Sequence, residues 1–457
     1  MKMIDTYRDK NALVIGLGKS GVNSAKLLKK LGANVTVNDK TDTPNAKQVE
    51  ELKSLGIKVV TGSHPVSLID DVDVVVKNPV VPYSNPLVKQ ALARKIQVIT
   101  EPELAYEILD CSMIAVTGTN GKTTTTTMIT EMLNHGRDGK AYAAGNIGIP
   151  STQVAQKATP NDVMVTELSS FQLMGITQLH PHIAVLTNIY EAHTDWHGSR
   201  ENYVKAKMRI TMNQTQDDYL VVNWDDPEWQ ELSKQSKAQV VPFSRKKLTT
   251  AGAFQDGEWL YFRDEKIMNI NEIKVPGTHN IENALAALTV AKLMGCSTEA
   301  IVTVLKTFSG VRHRTQFVTS INGRKFYNDS KATNMEATEK ALSGFQDNVI
   351  LLAGGLDRGY QFDDLIPAFK KHVKALIVFG ETAELMKNAG EKAGIKIIKT
   401  THDAVSAVPV AYDLSQKNDI ILLSPACASW DQWPTFEVRG DKFIEAVEKL
   451  EHQLEEK

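Results

Sequence analysis

Val-, Ile- and Leu-rich runs alternate with longer segments of helical periodicity along nearly the whole chain. The runs include NALVIGLG, VDVVVKN, MIAVTG, VMVTELS, IAVLTNI, NVILLAGG, ALIVFG and DIILLSP. Continuous apolar strands of this kind suit parallel sheets covered by helices on both faces. Many of the runs end in Gly, Asn, Glu or Ser, and in open α/β sheets ligands collect at the carboxyl ends of strands. The pattern predicts an α/β protein with several binding edges. One boundary is placed near Glu101, where VITEPELAYEILDCS separates two α/β units, and another near Gly310, in TFSGVRHRTQF. The expected domains are residues 1–100, 101–310 and 311–457. No internal repeat of fixed period is visible, and the terminal FIEAVEKLEHQLEEK reads as an amphipathic helix with a solvated charged face.

A length of 457 residues accommodates about three domains of ordinary size. An apolar share of 42% and a charged share of 23% are those of a globular chain with sizeable cores. The net charge of −2 leaves no footprint for nucleic acid or a membrane surface, and no apolar run approaches membrane-spanning length. The opening MKMIDTYRDKNALVIGLG has no apolar signal-peptide region before its first strand. Cys111, Cys296 and Cys427 are too few and too scattered for a disulfide framework or a zinc site. These totals predict a cytoplasmic protein with no nucleic-acid partner and no membrane insertion.

Two glycine motifs follow strands. In VIGLGKSG, Gly16, Gly18 and Gly21 take the spacing of the dinucleotide fingerprint, and the next strand, ANVTVND, ends in an acid, Asp39. That arrangement presents a helix N-terminus to a diphosphate. NAD and a UDP-sugar both satisfy it, and so does a tight turn that binds nothing. In IAVTGTNGKTTTTTM, Gly118 and Gly121 allow backbone N–H groups to face phosphate oxygens. Lys122 adds positive charge, and the Thr123 hydroxyl is a candidate Mg²⁺ ligand. The pattern G-x-x-x-x-G-K-[ST] is incomplete, because Val116 stands where its first glycine belongs. Further Mg²⁺ ligands are sought at strand ends and in the following helix: Glu167 in VTELSSFQL, His193 in VLTNIYEAHTDWHGS, and Lys207 in YVKAKMRI. Taken singly, each of the three is an ordinary surface residue; their common position after strands of one domain makes them candidates.

At these residues the chain resembles the ATP-dependent Mur ligases of peptidoglycan synthesis, and among them the D-glutamate-adding members. The resemblance covers essentially the whole chain. It rests on GTNGKTT, GNIG, TELSSFQL, HGSRENYVKAK, GTHNIENALAA, NDSKATN and LLSPACASWDQWPTFEVRG. It implies three domains: an N-terminal Rossmann-like domain for a UDP-substrate, a central P-loop ATPase-type parallel sheet, and a C-terminal Rossmann-like α/β domain for an amino acid. It also implies an ATP-dependent amide ligase, monomeric, adding D-glutamate to UDP-N-acetylmuramoyl-L-alanine through an acyl phosphate, with ATP and two Mg²⁺ ions.

By motif, the resemblance assigns Gly16, Gly18, Lys19, Ser20, Asp39, Lys40 and Asn78 to the UDP-substrate. Gly118, Thr119, Asn120, Gly121, Lys122, Thr123 and Thr124 fall to ATP, with Asn280 at the adenine and Arg314, Asp329 and Lys331 reaching ATP from the C-terminal domain. Asn146 is expected near the reacting acyl group. Thr123, Glu167, His193 and Lys207 are the expected metal residues, Lys207 as a carbamate. Thr333, Arg358, Ser429 and Phe436 are expected to frame D-glutamate. With one substrate to each domain, closure about residues 308–314 is expected, excluding water from the acyl phosphate.

Two departures stand out. Ala192-His193 replaces an Asp-His pair common in the family, with Glu191 as the possible substitute acid, and Arg358 stands where several relatives have lysine. Rival readings are a Rossmann dehydrogenase, a nucleotide-controlled binding module, and a folylpolyglutamate-type ligase, a family without an N-terminal domain of this kind. Trp224, Trp229 and Trp259 are read as packing, Cys427 as a small buried residue, and His279 as a local hydrogen-bonding neighbour of Asn280.

Overall fold

The computed structural model describes residues 1–41, 45–190, 192, 194–346 and 348–455, without the side chain of Asp195. Among the described residues the strands form three sheets. The first comprises β1 (Asn11–Ile15), β2 (Asn34–Asp39), β3 (Lys58–Thr61), β4 (Val74–Lys77) and β5 (Gln97–Ile99), in the order β3-β2-β1-β4-β5. All its pairings are parallel. Both its faces are packed, which is why its strands read as unbroken apolar runs.

The second sheet is built on β6 (Ser112–Thr117), β7 (Ala141–Gly145), β8 (Val163–Glu167), β9 (Ile183–Leu186), β10 (Tyr219–Asn223), β11 (Gln239–Ser244) and β12 (Ala253–Asp256). It ends in an antiparallel extension, β13 (Trp259–Phe262) and β14 (Glu265–Asn269). The order is β14-β13-β12-β11-β10-β9-β6-β8-β7, parallel from β7 through β12. The extension, whose strands turn at Gly257 and Asp264, was not among the predicted strands, because its runs, WLYF and EKIMN, are short and set among charged residues.

The third sheet holds β15 (Gln316–Ile321), β16 (Arg324–Asn328), β17 (Val349–Gly354), β18 (Val373–Phe379), β19 (Ile398–Thr400) and β20 (Ile420–Leu423). Its order is β15-β16-β20-β17-β18-β19, and only the β15–β16 pairing is antiparallel. Apolar clusters cover both of its faces, one of them containing Phe443 and Val447 of the terminal helix Phe436–Glu455. The expected α/β architecture with predominantly parallel sheets is therefore present.

The chain divides into two compact units. One contains Met1–Glu272 and Ile281–Leu305, with the first two sheets; the other contains Ile273–Asn280 and Lys306–Lys457, with the third. Within the first unit, the segment around Glu101 is a buried helix, Glu101–Ile108. Thr100, which precedes it, donates its hydroxyl to the Gln172 carbonyl at 2.7 Å. Glu103 accepts from Thr177 Oγ1 and from the backbone N–H groups of Thr177, Gln178 and Leu179. Buried carboxylates anchored on backbone donors fix this helix to the loops of the second sheet.

Candidate active site

The phosphate loop starts later than the incomplete motif suggests. Val116 is interior to β6, fully buried and in register with Glu167 of β8 and Val185 of β9. Strand geometry suits a β-branched residue there and leaves nothing for a glycine to do. The chain leaves the sheet at Gly118, whose φ of +151° goes with a close approach: a Cβ would strike Oγ1 of Thr187. Gly121, at φ +80°, opens the helix Lys122–Gly136, and a Cβ on it would strike Oδ1 of Asn283. Asn188 buttresses the loop. Its carbonyl accepts from Thr119 N (2.9 Å) and its Oδ1 from Asn120 N (2.8 Å). Thr187 Oγ1 donates to the Asn120 carbonyl at 2.7 Å. Thr187 and Asn188 were missed by the sequence reading; their signal was the LTN that ends the β9 run. Lys122 Nζ folds back to the carbonyls of Gly118 (3.0 Å) and Thr119 (2.8 Å). Thr123 is buried in the first turn and Thr124 is half-buried.

Lys207 is not the surface lysine that its local sequence allowed. It is 2% exposed, on the helix Arg200–Met208, one turn after Tyr203 and on the same face. Its Nζ donates to the Gly118 carbonyl at 2.7 Å and lies 4.5 Å from the Tyr203 ring centroid. Tyr203 shares a 3.0 Å hydrogen bond with the Thr119 hydroxyl, so this helix is pinned to the phosphate loop at two points. Burial pushes the Lys207 ammonium well below its ordinary range; the charge of Lys122 adds to that, and Glu167 opposes it.

Glu167 ends β8 and is buried. Asn146 donates its Nδ2 to Oε1 at 2.8 Å and its backbone N–H to the Glu167 carbonyl at 2.9 Å. Glu167 Oε2 is buried with no hydrogen-bond partner. An orphaned carboxylate oxygen is costly unless something cationic completes it. A hard divalent cation that prefers oxygen ligands fits this donor set of Glu167 and the Thr123 hydroxyl. His193 and Glu191 lie outside the described residues. Among the described residues no three His, Cys, Asp or Glu side chains group as a metal site.

The first glycine motif also forms a tight turn. Gly16 has φ +106°, and a Cβ on Gly21 would strike the Gly16 carbonyl. Asp39 spends its carboxylate on the loop itself, accepting from Leu17 N (2.7 Å) and Thr41 N (2.9 Å). Burial raises its pKa, and these two donors outweigh that and hold it below the ordinary range. Asn78 sits under the turn, its Nδ2 3.5 Å from Ser20 Oγ, while Gly18, Lys19 and Lys40 are exposed. Lys77 was not foreseen. It is fully buried, donates to the carbonyls of Pro79 and Val81, and burial lowers its pKa to about 8.

In the second unit, Asp329, Lys331, Thr333, Arg358 and Ser429 fall on strand-end loops of the third sheet, Phe436 opens the terminal helix, and Asn280 lies in the first turn of the helix Thr278–Leu293. Asp329 follows β16 and accepts from Thr315 N (2.9 Å) and Ser424 Oγ (2.7 Å); burial raises its pKa to about 7 against those bonds and the charge of Arg314. Lys331 Nζ lies 5.1 Å from the Phe436 ring centroid, and Thr333 is half-buried nearby in sequence. Arg358 is exposed and stacks at 4.9 Å on Trp430. Ser429 Oγ is buried with no hydrogen-bond partner. Asn280 donates its Nδ2 to the Pro276 carbonyl at 2.6 Å, and burial lowers the neighbouring His279 to about 4, with the charge of Lys340 adding to it. Cys427 is buried, its thiol pushed up to about 11 by burial. Trp229 is fully buried and Trp224 packs on the same core, whereas Trp259 is 37% exposed with Lys266 Nζ 3.4 Å from a ring centroid.

Three family descriptions match the chain: the Mur ligase MurD-like N-terminal domain over residues 10–100, the Mur ligase middle domain over 116–291, and the Mur ligase glutamate ligase domain over 313–427. The UDP-N-acetylmuramoylalanine–D-glutamate ligase of Ligilactobacillus salivarius (strain UCC118) is 67% identical over 458 residues, covering 100% of both chains. Its namesake from Enterococcus hirae is 57% identical, covering 98% of each. Among solved structures, UDP-N-acetylmuramate-alanine ligase MurC from Thermotoga maritima has the same fold, with a TM-score of 0.59 at 20% identity over 96% of this chain and 100% of that one. MurF ligase from the same organism gives a TM-score of 0.57 at 16% identity, covering 99% of this chain and 97% of that one. With sequence relatives of this identity along its full length, the chain belongs to the Mur ligase family.

Proposed function

We propose that this chain is an ATP-dependent ligase that joins D-glutamate to the carboxylate of UDP-N-acetylmuramoyl-L-alanine, releasing ADP and phosphate, in cytoplasmic precursor synthesis for peptidoglycan. The observation that carries a phosphoryl-transfer reading is the phosphate loop with an orphaned buried carboxylate, Glu167, and a buried lysine, Lys207, packed on its Gly118 carbonyl. The choice of substrates rests on the names of relatives up to 67% identical. We read three domains, 1–100, 101–310 and 311–457, one for each substrate, acting as a monomer.

A carboxylate is a poor electrophile. Transfer of the γ-phosphoryl group of ATP to one of its oxygens creates an acyl phosphate with a good leaving group. The D-glutamate amine, having lost its ammonium proton, attacks the acyl carbon, and the tetrahedral intermediate expels phosphate as the amide forms. This asks the protein for positioning and charge neutralisation. The loop N–H groups from Gly118 to Thr124 and the Lys122 ammonium would cradle the phosphates; Asn280, Arg314, Asp329 and Lys331 would complete the ATP site. Asn146 would orient the acyl group beside Glu167. Two Mg²⁺ ions, when bound, would supply the charge that neutralises the phosphate oxygens, held by Thr123, Glu167, His193 and Lys207. An ammonium has donors and no lone pair, so Lys207 can take part only after its neutral amine adds CO₂ and loses a proton, giving a carbamate with two acceptor oxygens. Arg358, Thr333, Ser429 and Phe436 would frame D-glutamate, and Arg358 supplies a fork suited to a carboxylate. The residues assigned above to the UDP-substrate would hold its diphosphate at the first glycine turn.

The test is ADP release with UDP-N-acetylmuramoyl-L-alanine and one amino acid at a time. D-glutamate is expected to support turnover, with L-glutamate, L-lysine and D-alanine inactive. Equal rates with and without D-glutamate would overturn the proposal.

A further inference from the structure

The terminal helix carries a residue that no role assigned so far uses. Arg439 is 1% exposed and has no carboxylate ion-pair partner among the described residues. An isolated buried cation is disfavoured, and burial pulls the guanidinium down to about 10, with the charges of Cys427, Asp431 and Asp329 opposing. What holds it are three hydrogen bonds to two different pieces of chain. Nε donates to Ser330 Oγ at 3.0 Å; Nη2 donates to the Ser330 carbonyl at 2.8 Å and to the Cys427 carbonyl at 3.1 Å. Ser330 Oγ in turn donates to the Phe436 carbonyl at 2.7 Å. The remaining nitrogen, Nη1, is buried without a partner. It faces the loop after β17, where a Cβ on Gly355 would lie 3.3 Å from it.

The topology gives these contacts a meaning. Ser330 follows β16, Cys427 follows β20, and Gly355 follows β17; the three strands are neighbours in the sheet. Their carboxyl ends are where an open parallel sheet binds its ligand. One guanidinium therefore ties together the segments bearing Lys331 and Thr333, Ser429, and Phe436, beside the loop that leads to Arg358. Only a planar fork reaches hydroxyl and carbonyl acceptors in this way; an ammonium on the same stem would serve fewer.

We propose that Arg439 is the positioning residue of the amino-acid site: through Ser330 and Cys427 it locks the strand-end loops after β16 and β20, beside the loop after β17, into the geometry that receives the acidic amino acid. This rests on the reading that the amino acid binds at these loops. A residue needed only for folding would change thermal stability and all kinetic constants together. A lock on these loops leaves the KM of the UDP-substrate, assigned to the first glycine turn, unchanged.

The experiment measures KM for D-glutamate and for the UDP-substrate, kcat, and Tm in wild type, Arg439→Lys and Ser330→Ala. Arg439→Lys is expected to raise the KM for D-glutamate about tenfold or more while the KM for the UDP-substrate moves by less than about twofold, since loosened positioning costs the substrate it positions. Ser330→Ala, which keeps the guanidinium but removes the hydroxyl that accepts from its Nε and donates to the Phe436 carbonyl, is expected to show the same split at about threefold. Parallel rises in both KM values, or an unchanged KM for D-glutamate in both variants, would overturn the proposal. If Arg439→Lys fails to fold, the Ser330→Ala split decides. A wild-type enzyme that ignores D-glutamate and uses another amino acid overturns the substrate reading alone, and the same comparison is then made with the amino acid it uses.

Discussion

Lys207 and Arg439 are both cations buried to about the same extent, at 2% and 1% exposure, one in each unit. Both donate to backbone carbonyls of functional loops. They differ in what burial does to them. A buried ammonium gives up its proton readily, and the neutral amine is a nucleophile that can add CO₂. A guanidinium keeps its charge and offers N–H groups in a fixed fork; Arg439 spends those on Nε and Nη2 on Ser330 and Cys427. The first unit thus buries a cation that can be chemically converted, close to an orphaned carboxylate; the second buries one that cannot be converted, where two strand-end loops must be held. The residue type in each place matches the task proposed for it.

The largest effect that would break this comparison concerns the third cation, Lys122, which must stay charged at the phosphate loop. Lys122→Ala is expected to lower kcat about 10³-fold with Tm unchanged, because a preorganised charge is lost where charge moves during transfer. A near-normal rate would remove the phosphate-loop assignment and leave Lys207 without a function to serve. Next comes Lys207 itself. Lys207→Ala and Lys207→Arg should each lose turnover by on the order of 10²-fold or more. Small carboxylic acids should restore part of the rate to the alanine variant alone, because arginine fills the space and cannot become an anion. Full activity of either variant without additive would contradict the carbamate.

The smallest effect sharpens the comparison from the opposite sign of charge. Glu101 is buried, accepts from Thr152 Oγ1 at 2.7 Å, and burial raises its pKa from 4.5 to about 7 against those bonds. An acid with a raised folded value favours folding least when ionised: the unfolded chain gives up its proton first, so stability is lost as pH climbs from 4.5 toward about 7. Glu101→Gln keeps an acceptor for Thr152 and removes that loss. Its Tm advantage over wild type should grow by about 2–4 °C between about pH 5 and about pH 8. A difference that stays flat with pH would mean the carboxylate is stabilised by its bonds as an ion.

Much of this was legible in the sequence. The apolar runs predicted as strands are strands, including the core runs on either side of the phosphate loop, because a doubly covered parallel strand has no polar face to disguise it. The threonine run lies in the first turns of a helix that begins at Lys122, as the loop chemistry required. Other features depend on distant pieces of chain and leave little local trace. YVKAKMRI offers two lysines, and only packing shows that Lys207 is buried while Lys205 pairs with Glu201 in solvent. Asn188 supports the phosphate loop from 68 residues away in sequence, and Arg439 reaches Ser330 across 109. FEVRG was conspicuous as a motif, but its arginine acquires a role only when three strand ends converge on it. Asp39 shows the converse: its position suggested a ligand contact, and its carboxylate is engaged by Leu17 and Thr41.

The central claim is that the phosphoryl group goes to a substrate carboxylate, and oxygen labelling tests it most directly. UDP-N-acetylmuramoyl-L-alanine carrying ¹⁸O in its alanyl carboxylate is turned over with ATP and D-glutamate, and the inorganic phosphate is weighed by mass spectrometry. If the acyl phosphate forms, the carboxylate oxygen that accepts the phosphoryl group leaves with it, and each phosphate carries one ¹⁸O. Unlabelled phosphate, released at the rate of amide formation, would contradict the account.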